Sequence, residues 1–136
     1  LARAGLAGLG DRPARTMSGG EQQKLALARA WALKPEVLFL DEPCAGLDIP
    51  TRERFLTTLQ KLAQKSTSMI YVTHRIEEIM PSVTHVLFLK DGQIAAQGKK
   101  DEMLNSETLS RALGCTLSVE KKSDRYWLLG VGPVGR

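Results

Sequence analysis

The run Val37-Leu38-Phe39-Leu40, closed by Asp41-Glu42-Pro43, constrains the fold of this chain more than any other stretch. Four successive apolar residues without alternation are the pattern of a strand covered on both faces, as in a parallel sheet. A second strand-like run, Ser68 to Thr73, ends at His74. Between the two, Asp48 is placed to cap a helix with Pro50 in its first turn, and Phe55, Leu56, Leu59 and Leu62 mark its buried stripe. Strand, helix, strand is a βαβ unit, which predicts an α/β fold built on a parallel sheet. Open sheets of this class present ligands at the C-terminal ends of their strands, so Asp41, Glu42 and His74 are expected to converge there.

Upstream, Ser18-Gly19-Gly20-Glu21 has the S-x-x-E spacing of a capping box. The helix it opens is expected to reach about Leu33, before Lys34-Pro35, with Leu25, Ala28 and Ala32 on one face and Leu27 and Trp31 close by. A helix N-terminus turns backbone N–H groups and a positive dipole end toward an anion, and two glycines let a phosphate approach closely. Side chains alternate along a strand, so Asp41 and Glu42 should point differently, one toward a hydrated Mg²⁺ and the other toward a water. Each feature has a plainer explanation when taken singly: a capped helix, a carboxylate closing a turn, a structural histidine. Together they suggest phosphate and metal chemistry.

Before this helix, Leu1 to Asp11 reads as a helix tail with a C-cap at Gly10, and Arg12 to Arg15 as a connector. Beyond His74, a short helix is expected from Arg75 to Met80, stopped by Pro81. Val86–Leu89 and Gln93–Ala96 flank Asp91-Gly92, a strong hairpin signal. Short helices follow at Lys100–Leu104 and Glu107–Leu113, the second closed by Gly114. A second hairpin, Leu117–Glu120 with Tyr126–Leu129, turns at Ser123-Asp124. His85 reads as a surface or strand-start residue. Gly130 to Gly135 matches G-x-G-x-x-G, but a dinucleotide fingerprint must open a helix within a βαβ unit.

A chain of 136 residues, 43% hydrophobic and 25% charged, suits one ordinary domain. Its net charge of +4 is spread rather than striped, so no nucleic-acid partner is expected. Cys44 and Cys115 show neither zinc-site nor disulfide-framework spacing, which suits a reducing cytosolic setting. No apolar segment is long enough to span a bilayer. The first residue is Leu1 rather than Met, and a piece of a longer protein is expected.

The motifs occur together and in order, and that set carries a resemblance. Met17-Ser18-Gly19-Gly20-Glu21 resembles the signature motif of ABC-type ATPases, usually Leu-Ser-Gly-Gly-Gln. Val37 to Glu42 looks like their Walker B strand, Ala45-Gly46-Leu47-Asp48 like the D-loop, and His74 like the switch histidine. The resemblance runs through the Asp91-Gly92 hairpin, and Met17 and Glu21 depart from the usual motif while keeping its apolar and polar character. It implies a partial P-loop NTPase fold of the ABC ATPase type, a parallel-sheet core followed by C-terminal β-hairpins. Residues 1–136 would be the C-terminal portion of one such domain, with 84–136 a hairpin and helical extension.

The resemblance further implies that Ser18, Gly19, Gly20 and Glu21 engage the γ-phosphate end of ATP held by a second ABC ATPase subunit. Asp41 would organise Mg²⁺, Glu42 would act as general base, His74 would contact the γ-phosphate, and Asp48 would cross the dimer interface. The implied role is ATP hydrolysis powering transport, with permease subunits as membrane partners and a cytoplasmic, peripheral place at the inner face of the membrane. No phosphate-binding loop G-x-x-x-x-G-K-[ST] occurs in these residues, so the segment alone is expected not to hydrolyse ATP. A soluble ABC ATPase of translation or DNA repair and a truncated non-catalytic product are the alternatives. The region after the first hairpin resembles that of importers of metal complexes, although substrate choice belongs to other subunits.

Overall fold

The computed structural model describes residues 13–64 and 67–132. The helix tail expected through Gly10 and the end of the glycine-rich stretch at Gly135 lie outside the described residues. The chain divides into two compact units, one ending at His74 and the other beginning at Arg75.

In the first unit a short 3-10 turn, Ala14–Thr16, stands where a connector was expected, and Thr16 donates both its N–H and its hydroxyl to the Pro13 carbonyl. The capping box then forms in full. Glu21 N–H donates to Ser18 Oγ at 3.3 Å, and Ser18 N–H donates to Glu21 Oε2 at 2.7 Å. Helix α1 (Gly19–Ala32) follows, with Leu33 as its C-cap. Its buried positions are Gly20 and Leu27, which lie two turns apart on one stripe. Ala32, expected on the buried face, is exposed; it sits five residues beyond Leu27, about 140° around the helix.

Strand β1 (Val37–Asp41) pairs in parallel with β2 (Ser68–Val72), from Val37 opposite Ser68 to Asp41 opposite Val72. The crossover is helix α2 (Ile49–Ala63), with Asp48 at its N-cap, Pro50 in its first turn, and Phe55, Leu56 and Leu59 buried. The βαβ unit is therefore as expected, but burial on both faces is not. Leu38 is 5% exposed, whereas Val37 and Phe39 are 53% and 62% exposed. Ile70 and Val72 continue the same open face on β2. Among the described residues this sheet has two strands and one covered face.

In the second unit a 3-10 turn, Ile76–Glu78, replaces the helix expected over Arg75–Met80. Ile79 is already extended, and Pro81 disfavours helix in Met80 before it. Strands β3 (His85–Lys90) and β4 (Gln93–Lys99) form the first hairpin. Its turn residues Asp91 and Gly92 have φ of 51° and 73°, the pair of positive values that a type I′ turn requires. Helices α3 (Lys100–Met103) and α4 (Ser106–Leu113) come next, followed by the hairpin of β5 (Leu117–Lys122) and β6 (Arg125–Val131). The core gathers Leu104, Leu109, Leu117 and Tyr126, with Ile76, Ile79, Val86 and Phe88 packed against them.

Candidate functional site

The candidate residues fall at three places in the first unit: the turn after β1, the end of β2, and the start of α1. The parallel register does most of the positioning. Because Asp41 lies opposite Val72, the next residue of each strand leaves the sheet on the same edge. Glu42 extends the ladder by one bond, its N–H donating to the Val72 carbonyl at 2.9 Å. Two residues past Val72, His74 Nδ1 reaches Glu42 Oε1 at 2.9 Å. A carboxylate can only accept, so Nδ1 carries the hydrogen and Nε2 is the ring nitrogen left outside this pair. Both side chains are exposed, at 65% for His74 and 46% for Glu42.

Glu42 has φ of 41°, in the left-handed region that non-glycine residues seldom occupy. Its carbonyl accepts from Ala45 N–H, and Leu47 N–H donates to the Cys44 carbonyl, so the loop after the strand is a succession of tight turns. Within it Pro43 and Cys44 are buried, and Tyr71 of β2 donates its hydroxyl to Cys44 Sγ at 3.5 Å. Strain held at one residue by surrounding turns is a feature of functional sites. Asp41, the last residue of β1, is exposed. Among the described residues no group of three or more His, Cys, Asp or Glu could hold a metal ion. Mg²⁺ characteristically keeps several waters and takes one or two carboxylates plus phosphate oxygens, so Asp41 suits it as a single ligand.

The loop delivers Asp48 to the start of α2, where its Oδ1 accepts from Thr51 N–H at 2.7 Å. That backbone hydrogen bond holds the Asp48 carboxyl below the usual carboxylate range. At the start of α1, Ser18 and Glu21 are occupied in the capping box, and Glu21 in place of the usual Gln supplies its carboxylate arm. The two glycines differ in their surroundings. A Cβ at Gly19 would meet nothing within 4 Å, whereas one at Gly20 would collide with Cγ2 of Thr51. The space beside Gly19 is open, whereas contact between α1 and the first turn of α2 explains Gly20. That contact leaves no signal in either segment, since it joins residues from different helices.

The structure thus brings Glu42 and His74 together as expected and sets Asp41 beside them on the same strand edge. The signature residues occupy a separate element, the N-terminus of α1. A family model described as ABC transporter matches residues 1–45. The chain is 40% identical over 91% of its length to the ABC transporter ATP-binding protein YlmA of Bacillus subtilis, covering 48% of that protein. It is 42% identical over 77% of its length to the molybdenum import ATP-binding protein ModC of Salmonella typhimurium, covering 30% of it. A solved metal-chelate type ABC transporter, in an inward-facing conformation, matches 94% of the chain and 52% of its own with a TM-score of 0.79 at 24% identity, a likeness of fold. The chain spans about half or less of the length of these proteins. Ordered motifs, fold and relatives agree: over nearly its whole length the chain is similar to part of the ATP-binding proteins of ABC transporters.

Proposed function

We propose that this chain forms the C-terminal portion of an ABC ATPase domain in the nucleotide-binding subunit of a transporter, where it takes part in the ATP hydrolysis that drives transport. The observation that carries this reading is the Glu42–His74 pair, held at 2.9 Å on the strand edge beside Asp41. Glu42 is the general base that takes a proton from the attacking water, a role that contributes roughly 10²–10⁴-fold to a rate. His74 orients that carboxylate through Nδ1 and leaves Nε2 to reach the γ-phosphate. Asp41 holds Mg²⁺ through water. The ion held there would supply positive charge against the negative charge that develops on the transferred phosphoryl group.

Ser18, Gly19, Gly20 and Glu21 serve a different ATP, the one held by a second ABC ATPase subunit. The N–H groups and positive end of α1 face its γ-phosphate, Gly19 leaves the backbone open, and Glu21 keeps the turn in shape. Asp48 lies at the interface of that dimer. Permease subunits are the membrane partners, and the assembly sits at the cytoplasmic face of the membrane. Residues 1–136 alone, without a phosphate-binding loop G-x-x-x-x-G-K-[ST], do not turn over ATP. Substrate choice rests with the membrane partners.

The trans site is tested by replacing Ser18 with Arg in the full-length protein that carries this segment and following dimer formation by sedimentation. ATP-dependent dimerisation is expected to disappear, because the long cationic side chain fills the space of the phosphate and removes the cap. Normal dimerisation would reject the assignment.

A further inference from the structure

Thr51 meets both the cap of α2 and the first turn of α1. Its N–H donates to Asp48 Oδ1 at 2.7 Å. Its Oγ1 accepts from an Arg54 guanidinium nitrogen at 3.2 Å. Its Cγ2 occupies the space that a side chain at Gly20 would need, and Leu47 Cδ2 lies 3.8 Å from the same point. A β-branched side chain has little freedom at χ1, and holding the hydroxyl fixes where the methyl lies. The half-buried Thr51 is therefore a spacer of defined length between the turn that carries Ser18 and the turn that carries Asp48.

We propose that Thr51 is a positioning residue for the trans ATP site: its methyl, seated on Gly20, sets the distance between the signature turn and the D-loop so that the two present one surface to the partner subunit. The inference rests on the functional reading above and adds a residue to it. Close-packed contacts transmit displacement rather than absorb it, so a side chain at position 20 pushes the signature turn away from Asp48. The absence of a side chain at Gly20 is then a demand of Thr51, separate from the demand of phosphate at Gly19.

The test is a suppressor experiment in the full-length protein, with ATP-dependent dimer affinity and turnover measured at a temperature where circular dichroism shows every variant folded. Gly20→Ala is expected to weaken dimerisation about tenfold or more, the scale of an overpacked contact. Adding Thr51→Ser removes the colliding methyl and keeps the hydroxyl, and it should restore affinity to within about threefold of the wild type. Adding Thr51→Val instead keeps the methyl and should leave the defect in place. An unrescued Gly20→Ala, equal rescue by serine and valine, or a lowered unfolding midpoint with unchanged dimer affinity would each overturn the proposal. Ser18→Arg is measured alongside: if it also dimerises normally, the trans-site reading itself has failed, whereas a blocked Ser18→Arg with no suppression removes Thr51 alone.

Discussion

His74 and Glu42 form an ion-pair geometry in a place where it can add little to stability. Exposed pairs contribute between nothing and about 1 kcal/mol, and these side chains are 65% and 46% exposed. On the proposed reading this contact orients the Glu42 carboxylate rather than stabilising the fold. His74→Ala is therefore expected to leave the urea midpoint of the full-length protein nearly unchanged while lowering ATP turnover at least tenfold, on the order of the lower range for acid–base groups. Parallel loss of stability and turnover would make His74 structural. The approach of His74 to Glu42 at the ends of the two strands was legible in the sequence because strand ends follow from two apolar runs and one helix between them. The left-handed backbone of Glu42 was not, since nothing in a glutamate marks it; it follows from the turns made by Ala45 and Leu47. Nor was the contact of Gly20 with Thr51, which only the approach of two helices creates.

At the level of elements, boundaries were readable wherever a side chain or a glycine caps the backbone. Ser18, Asp48 and Gly114 end or begin helices as their residue types require. Asn105 caps α4 through Thr108 N–H, starting it one residue earlier than expected at Glu107. Both hairpins turn at two residues of positive φ, Asp91-Gly92 and Ser123-Asp124. Gly114 has φ of 75°, and a Cβ there would also meet Lys90 Nζ. Gly114→Ala should lower the stability of the second unit by roughly 1–2 kcal/mol, the cost of a left-handed residue bearing a side chain, as read from chemical denaturation. No measurable change would mean that the helix end relaxes out of that conformation. What the strand pattern did not convey is the open side of β1, because an apolar run reports suitability for double burial and not the presence of both covers. Val37 and Phe39 have that suitability on a sheet that, among the described residues, has one covered face.

The whole molecule is two units whose chemistry differs. The first carries every candidate functional residue; the second carries a polar cluster that ties β5 and β6 to α3. Tyr126 donates its hydroxyl to Asp101, and Lys121 pairs with the same carboxylate at 3.0 Å. Hydrogen bonding from Tyr126, then from Lys121, holds Asp101 below the usual carboxylate range. The Asp101 bond raises Lys121, and burial, followed by that carboxylate, raises Tyr126. A lowered folded-state acid contributes stability above its unfolded value that is lost as pH falls through the folded one. Raised basic and phenolic groups contribute below their unfolded values and lose it as pH rises. The second unit should accordingly be most stable across neutral pH and weaken at both acid and strongly alkaline ends, with Asp101→Asn flattening both arms of its denaturation profile; unaltered arms would place the pH dependence elsewhere. The functional account, in contrast, rests on one carboxylate of the first unit. Its most direct measurement compares ATP binding and turnover for wild type and Glu42→Gln in the full-length protein. The account predicts unchanged binding with turnover reduced roughly 10²–10⁴-fold, and turnover equal to the wild type would contradict it.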